Sequence, residues 1–263
     1  MEPVAGARTF DVSGESYDAF MGRYSRPLAV QFADFAGVAA GQRALDVGCG
    51  PGALTGELVR RLGYEKVAAC DPSEMFIVAC AERNPGVDVR PGSAEKVPFD
   101  DARFDVALSQ LVLHFVSDPA AAGAELLRVV CAGGTVAGCV WDFAEGMEML
   151  HAFWEAALTL DPDAPAEQRV MRFGTAGELS QWLSDSGMEG ITETALRVSS
   201  TYRDFDELWA GFTAGIGPAG SYCVALGPEQ REDLRRALHR QLGAPAGSIT
   251  LSGGARAARG VRP

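Results

Sequence analysis

Residues 45–58 read LDVGCGPGALTGEL, and this stretch decides the fold. Its three glycines, Gly48, Gly50 and Gly52, stand at alternate positions directly after the apolar run RALDV (43–47). Glycine permits a tight turn and the close approach of backbone to a ligand. Leucine then returns at every fourth position, which predicts a helix. A strand, a glycine loop and a helix in this order predict a βα unit whose loop binds a ligand.

The same rhythm continues along the chain. Further strands are predicted at KVAACD (66–71), VDVR (87–90), FDVALS (104–109) and GTVAGCVW (134–141), with helical patterns between them. Near-continuous apolar strands separated by helices indicate a parallel sheet that is covered on both faces. Two late strands, at 190–202 and 248–260, complete the set. The predicted fold class is a Rossmann-like, doubly wound α/β protein with a mostly parallel seven-stranded sheet, an antiparallel edge strand and helices on both faces.

One domain of 263 residues is expected, since no low-complexity linker divides the chain. It comprises an N-terminal cap (1–35), a cofactor-binding core (36–141) and two insertions that cover the substrate (142–178 and 203–246). The first insertion contains an aromatic-rich helical stretch. The second contains TAGIGPAG (213–220), which is too rich in glycine for a helix interior and predicts either a mobile gate or an ordinary loop.

Composition narrows the range of partners. Acidic residues outnumber basic ones by 35 to 23, a net charge of −12, so the surface repels phosphate backbones and no nucleic-acid partner is expected. No signal peptide and no membrane-spanning run is recognisable, which predicts a cytoplasmic protein. The six cysteines form no C-x-x-C pair, so no metal site is expected. The sequence leaves the oligomeric state open.

Two kinds of ligand fit the spacing of the loop. Gly48, Gly50 and Ala53 match a dinucleotide pattern, and Asp71 follows Gly52 by 19 residues, as a ribose-binding acid would. A pyrophosphate carries about two negative charges, however, and Asp46 beside it would be unfavourable. S-adenosylmethionine (SAM), with a net charge near +1, suits Asp46, which could meet its positive end directly or through water. Charge therefore favours SAM over a nicotinamide dinucleotide.

Four segments carry a resemblance to a known family. These are ALDVGCGPG (44–52), ACDPSEM (69–75), GSAEKVPF (92–99) and FDVALSQLVLHF (104–115). In this order they resemble class I SAM-dependent methyltransferases, of the small-molecule type that includes the ubiquinone/menaquinone-biosynthesis enzymes. The resemblance implies SAM as cofactor, S-adenosylhomocysteine (SAH) as product and a small-molecule acceptor. Its motifs specify the cofactor and leave the acceptor unnamed.

The resemblance also implies which residues contact the cofactor. They are Tyr17, Arg23, Asp46, Gly48, Gly50, Gly52, Asp71, Pro72, Met75, Ser93, Ala94, Ser109 and Gln110. Asp71 is expected at the ribose, Met75 against the adenine ring, and Ser109 and Gln110 near the methionine end. Arg23, in an N-terminal helix over the pocket, is a candidate partner for the SAM carboxylate, although that helix could equally serve packing alone. Ser93 stands where many relatives have an aspartate, so it would bind adenine without a charge.

Methyl transfer from a sulfonium is a direct displacement, so the protein mainly positions the acceptor and excludes water. Candidate acceptor-pocket residues are Tyr24, Trp141, His151 and Trp154. His114 is the candidate base, because it follows a strand end and imidazole titrates near neutrality; a packed core histidine is the alternative. The aromatic insertions predict a hydrophobic or aromatic acceptor. A nicotinamide-dependent oxidoreductase and a SAM-binding protein without catalysis remain the alternative functions.

Overall fold

The computed structural model describes residues 18–143 and 146–263. Seven strands form a single sheet in the order β3-β2-β1-β4-β5-β7-β6. The strands are β1 (Ala44–Val47), β2 (Val67–Asp71), β3 (Asp88–Pro91), β4 (Phe104–Gln110), β5 (Val130–Trp141), β6 (Glu189–Tyr202) and β7 (Ile249–Val261). Strands β1 to β5 pair in parallel, whereas β7 runs antiparallel to both β5 and β6. The predicted mostly parallel sheet is therefore confirmed, with its antiparallel strand one position in from the β6 edge.

Helices connect the strands and pack on both faces of the sheet. They are α1 (Arg23–Ala36), α2 (Ala53–Leu62), α3 (Glu74–Arg83), α4 (Pro119–Val129), α5 (Glu148–Leu160), α6 (Glu167–Val170), α7 (Glu178–Asp185), α8 (Phe205–Thr213), α9 (Gly217–Ala225) and α10 (Pro228–Gln241). A short π-helical segment, Asp18–Gly22, precedes α1. Local capping fixes several starts: Ser73 accepts a hydrogen bond from the Phe76 amide, and Asp118 accepts from the first turn of α4.

The core divides between the two faces of the sheet. Alternate strand residues serve opposite sides, as a period of two requires. Leu108 belongs to the larger apolar cluster, with residues of α1, α5, α8 and α10, whereas Ala107 belongs to the second cluster, with residues of α4 and α7. Along the described residues, no helix is both long and apolar enough to cross a bilayer.

One local prediction is wrong. The stretch 213–220 does not form a continuous loop, because α9 begins at Gly217. Pro218 lies in the first turn of this helix, where its missing amide hydrogen costs nothing. Gly220 is required for packing, since a Cβ there would lie 2.7 Å from the carbonyl carbon of Gly215. A glycine is needed at position 220 because the backbone of Gly215 packs closely against it, and not because the segment must be flexible.

Strand order places the ligand-binding edge. Strand β1 pairs with β2 on one side and β4 on the other, so the chain reverses its direction of winding at β1. Ligands of open α/β sheets bind outside the carboxyl ends of the strands at this reversal. Asp46 lies near the end of β1, Asp71 ends β2 and Gln110 ends β4, so three polar side chains meet there.

Candidate active site

The glycine loop has a backbone that other residues adopt only with strain. The φ angles of Gly48, Gly50 and Gly52 are 76°, 51° and 93°, all in the left-handed region. A Cβ on Gly48 would lie 2.4 Å from the Cγ2 atom of Val112, whereas a Cβ on Gly50 would meet no atom within 4 Å. Gly48 therefore permits close packing, and Gly50 keeps open the space in front of the loop.

A cavity of about 670 Å³ lies in front of this loop. Seven of the residues predicted to bind the cofactor line it: Asp46, Gly48, Gly50, Asp71, Pro72, Met75 and Gln110. Its volume is that of an ordinary small-molecule site, between about 300 and 1,000 Å³. The charged side chains of its described lining are the acids Asp46, Asp71 and Glu74, with no lysine or arginine among them. This cavity suits a cationic ligand better than a pyrophosphate.

Asp46 is a buried carboxylate in which one of the two oxygens has no hydrogen-bond partner among the described residues. It is 1% exposed, and its Oδ2 accepts a hydrogen bond of 2.7 Å from the Thr55 hydroxyl. Its Oδ1 is buried and has no partner in the described chain. Burial raises the pKa of Asp46 to about 7; the Thr55 hydrogen bond opposes this shift, and the charge of Asp71 adds to it. A positively charged ligand group would remove this penalty.

Asp71 joins the glycine loop to the second βα unit. Its Oδ2 accepts from the Gly50 amide at 2.9 Å, and its Oδ1 accepts from the Ser73 amide at 2.8 Å. Burial raises the pKa of Asp71, against the two backbone hydrogen bonds, which favour its charged form. The carboxylate is therefore held in one orientation, and each oxygen keeps a lone pair for a ligand hydroxyl.

Two further polar atoms in this cavity lack partners. The Gln110 side-chain amide donates to the Ser25 carbonyl at 3.0 Å, a contact between β4 and α1. The Gln110 Oε1 and the Ser25 Oγ are buried and, like Asp46 Oδ1, have no partner in the described residues. Buried polar atoms are ordinarily hydrogen bonded. Three such atoms on residues of one cavity indicate a ligand that carries hydrogen-bond donors, and an ammonium group fits this set.

A second, smaller cavity adjoins the first. Its volume is about 40 Å³, and it shares Leu111 and Phe115 with the larger cavity. The rest of its lining is mostly apolar: Phe20, Met21, His114, Trp141, Phe143, Leu150, Glu167, Ile216, Gly217, Pro218 and Ala219. Trp141, predicted from the sequence to lie at the acceptor pocket, is among these residues. The larger, acid-lined cavity and the smaller, mostly apolar cavity therefore share a wall formed by Leu111 and Phe115.

Comparison with known proteins identifies the family. The methyltransferase domain family matches residues 45–138. A malonyl-[acyl-carrier protein] O-methyltransferase of Erwinia billingiae is 32% identical over 67% of this chain and 67% of its own. The chain belongs to the class I SAM-dependent methyltransferases. The demethylmenaquinone methyltransferase of Paenarthrobacter aurescens is 28% identical over 71% of this chain and 76% of its own.

Solved structures agree on the fold. A phosphoethanolamine N-methyltransferase of Haemonchus contortus, determined with SAM, superposes with a TM-score of 0.57 at 15% identity. The match covers 95% of this methyltransferase and 57% of the other chain. At this identity the likeness establishes the architecture and nothing about the acceptor.

His114 lies in the smaller cavity of the methyltransferase, but its environment differs from the predicted one. It is 1% exposed, and its ring lies edge-on to Phe115 and Phe143, with centroids 4.1 and 5.2 Å away. Its Nδ1 has no partner among the described residues. Burial lowers the pKa of His114 to about 3, so the expectation that it titrates near neutrality is wrong. A neutral imidazole with so low a pKa is a poor proton acceptor.

Several predicted cofactor residues do not line the larger cavity of the methyltransferase. Arg23 donates from Nη2 to Glu207 Oε1 at 2.6 Å and stacks over the Tyr202 ring, so its contacts are with α8 and β6. Ser109 is fully buried and donates to the Val47 carbonyl. Ala94 is part of the second core cluster. Gly52 is the N-cap of α2.

Ser93 also lies outside that lining. It pairs with Lys96 through two backbone hydrogen bonds in the loop after β3. The local pattern around GSAEKVPF thus identifies a tight loop correctly but does not bring the serine side chain to the cavity. Tyr17 lies outside the described residues.

The predicted acceptor residues separate into three groups. Trp141 lines the smaller cavity. Tyr24 and Trp154 are core residues outside its lining, and the Tyr202 hydroxyl donates to the Tyr24 hydroxyl at 3.2 Å. His151 is exposed on α5 because it falls on the helical face opposite the buried residues, so its assignment to the pocket is wrong.

Three site residues escaped the sequence reasoning. Ser25 meets Gln110 across 85 residues of chain, which no local pattern reveals. Leu111 forms the wall between the cavities with a φ of 63°, a conformation that a bulky side chain rarely adopts. Glu167 follows a proline-containing polar stretch, DPDAPA (161–166), that resembles a surface loop, yet it is 3% exposed. The buried Ala164 and Ala166 beside it are the one local sign of burial.

Proposed function

We propose that this methyltransferase binds SAM in the larger cavity and transfers its methyl group to a small apolar acceptor whose reacting end enters the smaller one. The proposal rests on one observation: Leu111 and Phe115 form a common wall between the acid-lined larger cavity and the apolar smaller cavity. Methyl transfer requires donor and acceptor to be held in line and out of water. Two adjoining cavities of opposite character support that arrangement.

The unsatisfied atoms of the larger cavity suit the ends of SAM. The free Oδ1 of Asp46 and the Oε1 of Gln110 are acceptors for an α-ammonium group. The fixed carboxylate of Asp71 has lone pairs for the ribose hydroxyls, and Pro72 and Met75 offer apolar surface to the adenine ring. When bound, SAM supplies an electrophilic methyl group on a sulfonium with a good leaving thioether.

The apolar lining of the smaller cavity supports a hydrophobic or aromatic acceptor. Its walls come from both predicted covering insertions, through Phe143, Leu150 and Glu167 in the first and Ile216–Ala219 in the second. Its volume of about 40 Å³ admits only the end of a molecule. The net charge of −12 supports a small molecule over a nucleic acid as the acceptor.

The first test concerns the cofactor. Isothermal titration with SAM and, separately, with NAD⁺ distinguishes the two ligand classes that fit the loop. We expect SAM to bind, and at about 100 times its Kd to stabilise the fold by about 2.7 kcal/mol. Asp71→Asn is expected to raise the Kd for SAM at least about tenfold, because an amide offers the ribose one acceptor oxygen in place of two. Ser93→Ala is the matched control and should leave the Kd unchanged. Binding of NAD⁺ without SAM would refute the assignment.

The second test concerns the acceptor. Transfer of radiolabelled methyl from SAM is measured with a panel of apolar phenols, thiols and quinols beside polar amines and amino acids of similar size. We expect turnover of the apolar compounds. Turnover confined to polar acceptors would contradict the proposed acceptor class, and SAM binding without any turnover would favour a non-catalytic SAM-binding protein.

A further inference from the structure

Glu167 is a carboxylate buried in the wall of an apolar cavity. It opens α6, is 3% exposed and contributes to the smaller cavity beside Leu150 and Ile216. Its Oε2 accepts a hydrogen bond of 2.7 Å from the indole nitrogen of Trp154. No described residue donates a hydrogen bond to its Oε1. An ionisable group that costs free energy to bury is thus placed where the acceptor is expected.

Two titratable side chains line this cavity within the described chain, and they differ as proton acceptors. His114 stays neutral, because burial lowers its pKa to about 3. Burial instead raises the pKa of Glu167 to about 7, while the hydrogen bond from Trp154 acts in the opposite direction. No charged group contributes to this pKa shift. A general base is most effective when its pKa lies near the working pH. Of the two, Glu167 meets that condition.

A structural role alone would not require a charge here. The Trp154 indole needs an acceptor, and a glutamine carbonyl would satisfy it without the cost of burying a carboxylate. The position nevertheless carries an acid, whose second oxygen is free of described partners. The Glu167 carboxylate can therefore take up and hold a proton next to a bound methyl acceptor.

We propose that Glu167 is the general base of the reaction and that the acceptor presents a hydroxyl group to it, so that the enzyme is an O-methyltransferase acting on an apolar phenol, alcohol or enol. The inference rests on the proposed function of the two cavities. The acceptor O–H bond breaks and its proton moves to Glu167 Oε1. The freed oxygen lone pair forms the new O–CH₃ bond while the methyl–sulfur bond of SAM breaks, leaving its electron pair on the neutral sulfur of SAH. Glu167 afterwards releases the proton to solvent.

The test compares two acceptors that differ in acidity. The probes are 4-chlorophenol, which is largely protonated at pH 7.5, and 4-chlorobenzenethiol, whose more acidic thiol ionises without a base. With SAM saturating at every pH, so that Asp46 does not affect the rate, Glu167→Gln should lower kcat for the phenol by at least about 100-fold and remove the acidic limb near pH 7 from the pH profile of kcat. Turnover of the thiol should change by less than about threefold, because the thiolate needs no base. The Kd for SAM should not change.

Two further variants identify the group responsible. Trp154→Phe removes the donor that favours ionised Glu167 and should move the acidic limb to higher pH, which a structural role would not do. This variant also keeps the proposal testable if Glu167→Gln fails to fold. His114→Asn should retain the limb near pH 7; loss of the limb in that variant would transfer the role to His114 and overturn the proposal.

The remaining outcomes separate this inference from the proposed function. Equal loss of phenol and thiol turnover in Glu167→Gln, or no loss in either, overturns the assignment of Glu167. If the wild-type enzyme binds SAM but methylates the thiol and not the phenol, or neither, the hydroxyl acceptor is overturned while the cofactor site stands. If SAM does not bind, the proposed function fails first.

Discussion

The affinity for SAM should depend on pH through Asp46. In the free enzyme burial holds the pKa of this carboxyl at about 7, and an ammonium group beside its free Oδ1 would return the pKa toward its ordinary value. Free enzyme below pH 7 is therefore largely protonated at Asp46 and must lose that proton to bind the cation. Affinity should fall as the pH falls, and binding should release a proton.

The magnitude follows from the ionised fraction. With a pKa of about 7, about half of the free enzyme is ionised at Asp46 at pH 7.0 and about 3% at pH 5.5. The Kd for SAM should consequently rise about 15-fold over this interval, which corresponds to about 1.6 kcal/mol. The α-amino group of SAM stays mostly protonated throughout this range. Binding at pH 5.5 should release close to one proton.

The assay is isothermal titration in two buffers with different heats of ionisation, at both pH values. The Asp46→Asn side chain cannot titrate. This variant should therefore bind SAM weakly, and its Kd for SAM should vary with pH only as far as Asp71 titrates. Glu167→Gln is the matched control: it removes another carboxyl of raised pKa but lies outside the SAM cavity, and it should keep the full dependence. Equal wild-type Kd values at the two pH values, without proton release, would refute the reasoning.

Three further predictions concern stability and the loop. The raised pKa of Glu167 favours folding at low pH, so wild-type stability relative to Glu167→Gln should fall by about 3 kcal/mol as the pH rises from 4.5 to 8, and equal urea curves at both pH values would contradict this. Trp154→Phe leaves the Glu167 carboxylate without its donor and should cost about 1–3 kcal/mol in urea unfolding, more at pH 8 than at pH 5.5. Gly48→Ala combines a left-handed backbone with a clash against Val112 and should cost at least about 2 kcal/mol of folding stability, whereas Gly50→Ala should cost about 1 kcal/mol and mainly raise the Kd for SAM. Calorimetric unfolding and SAM titration of the Gly48→Ala and Gly50→Ala variants test this difference. An equal loss of folding stability in both variants would contradict it.

The sequence was most informative where one βα unit encodes its own geometry. Gly48 and Gly50 adopt the left-handed backbone that only glycine favours, and Asp46 and Asp71 stand at the ends of apolar strands. Ser73 caps the helix that it precedes. Such features depend on neighbours within a few residues, so their spacing was sufficient to place them.

The rest depends on contacts between distant segments. Ser25 and Gln110 meet through α1 and β4, and no periodicity encodes that pairing. Arg23 lies in the predicted helix but contacts Glu207, which lies 184 positions away. His151 lies three positions before Trp154 in the same aromatic-rich helix, yet its side chain is exposed whereas that of Trp154 is buried. Residue type alone overestimated which of these side chains reach the pocket.

The strained backbone at Leu111 determines which part of the site can rearrange. Left-handed residues of this kind cost about 1–3 kcal/mol and persist only when their surroundings hold them. Leu111 follows β4 directly, and its amide donates to the Cys139 carbonyl of β5 at 2.7 Å, so the sheet clamps it. Phe20 and Pro218, which also line the smaller cavity, belong to covering helices. Whatever shape an acceptor imposes on those helices, the wall across which we propose that the methyl group passes is held by the central strands, so a movement of the covering helices need not displace it.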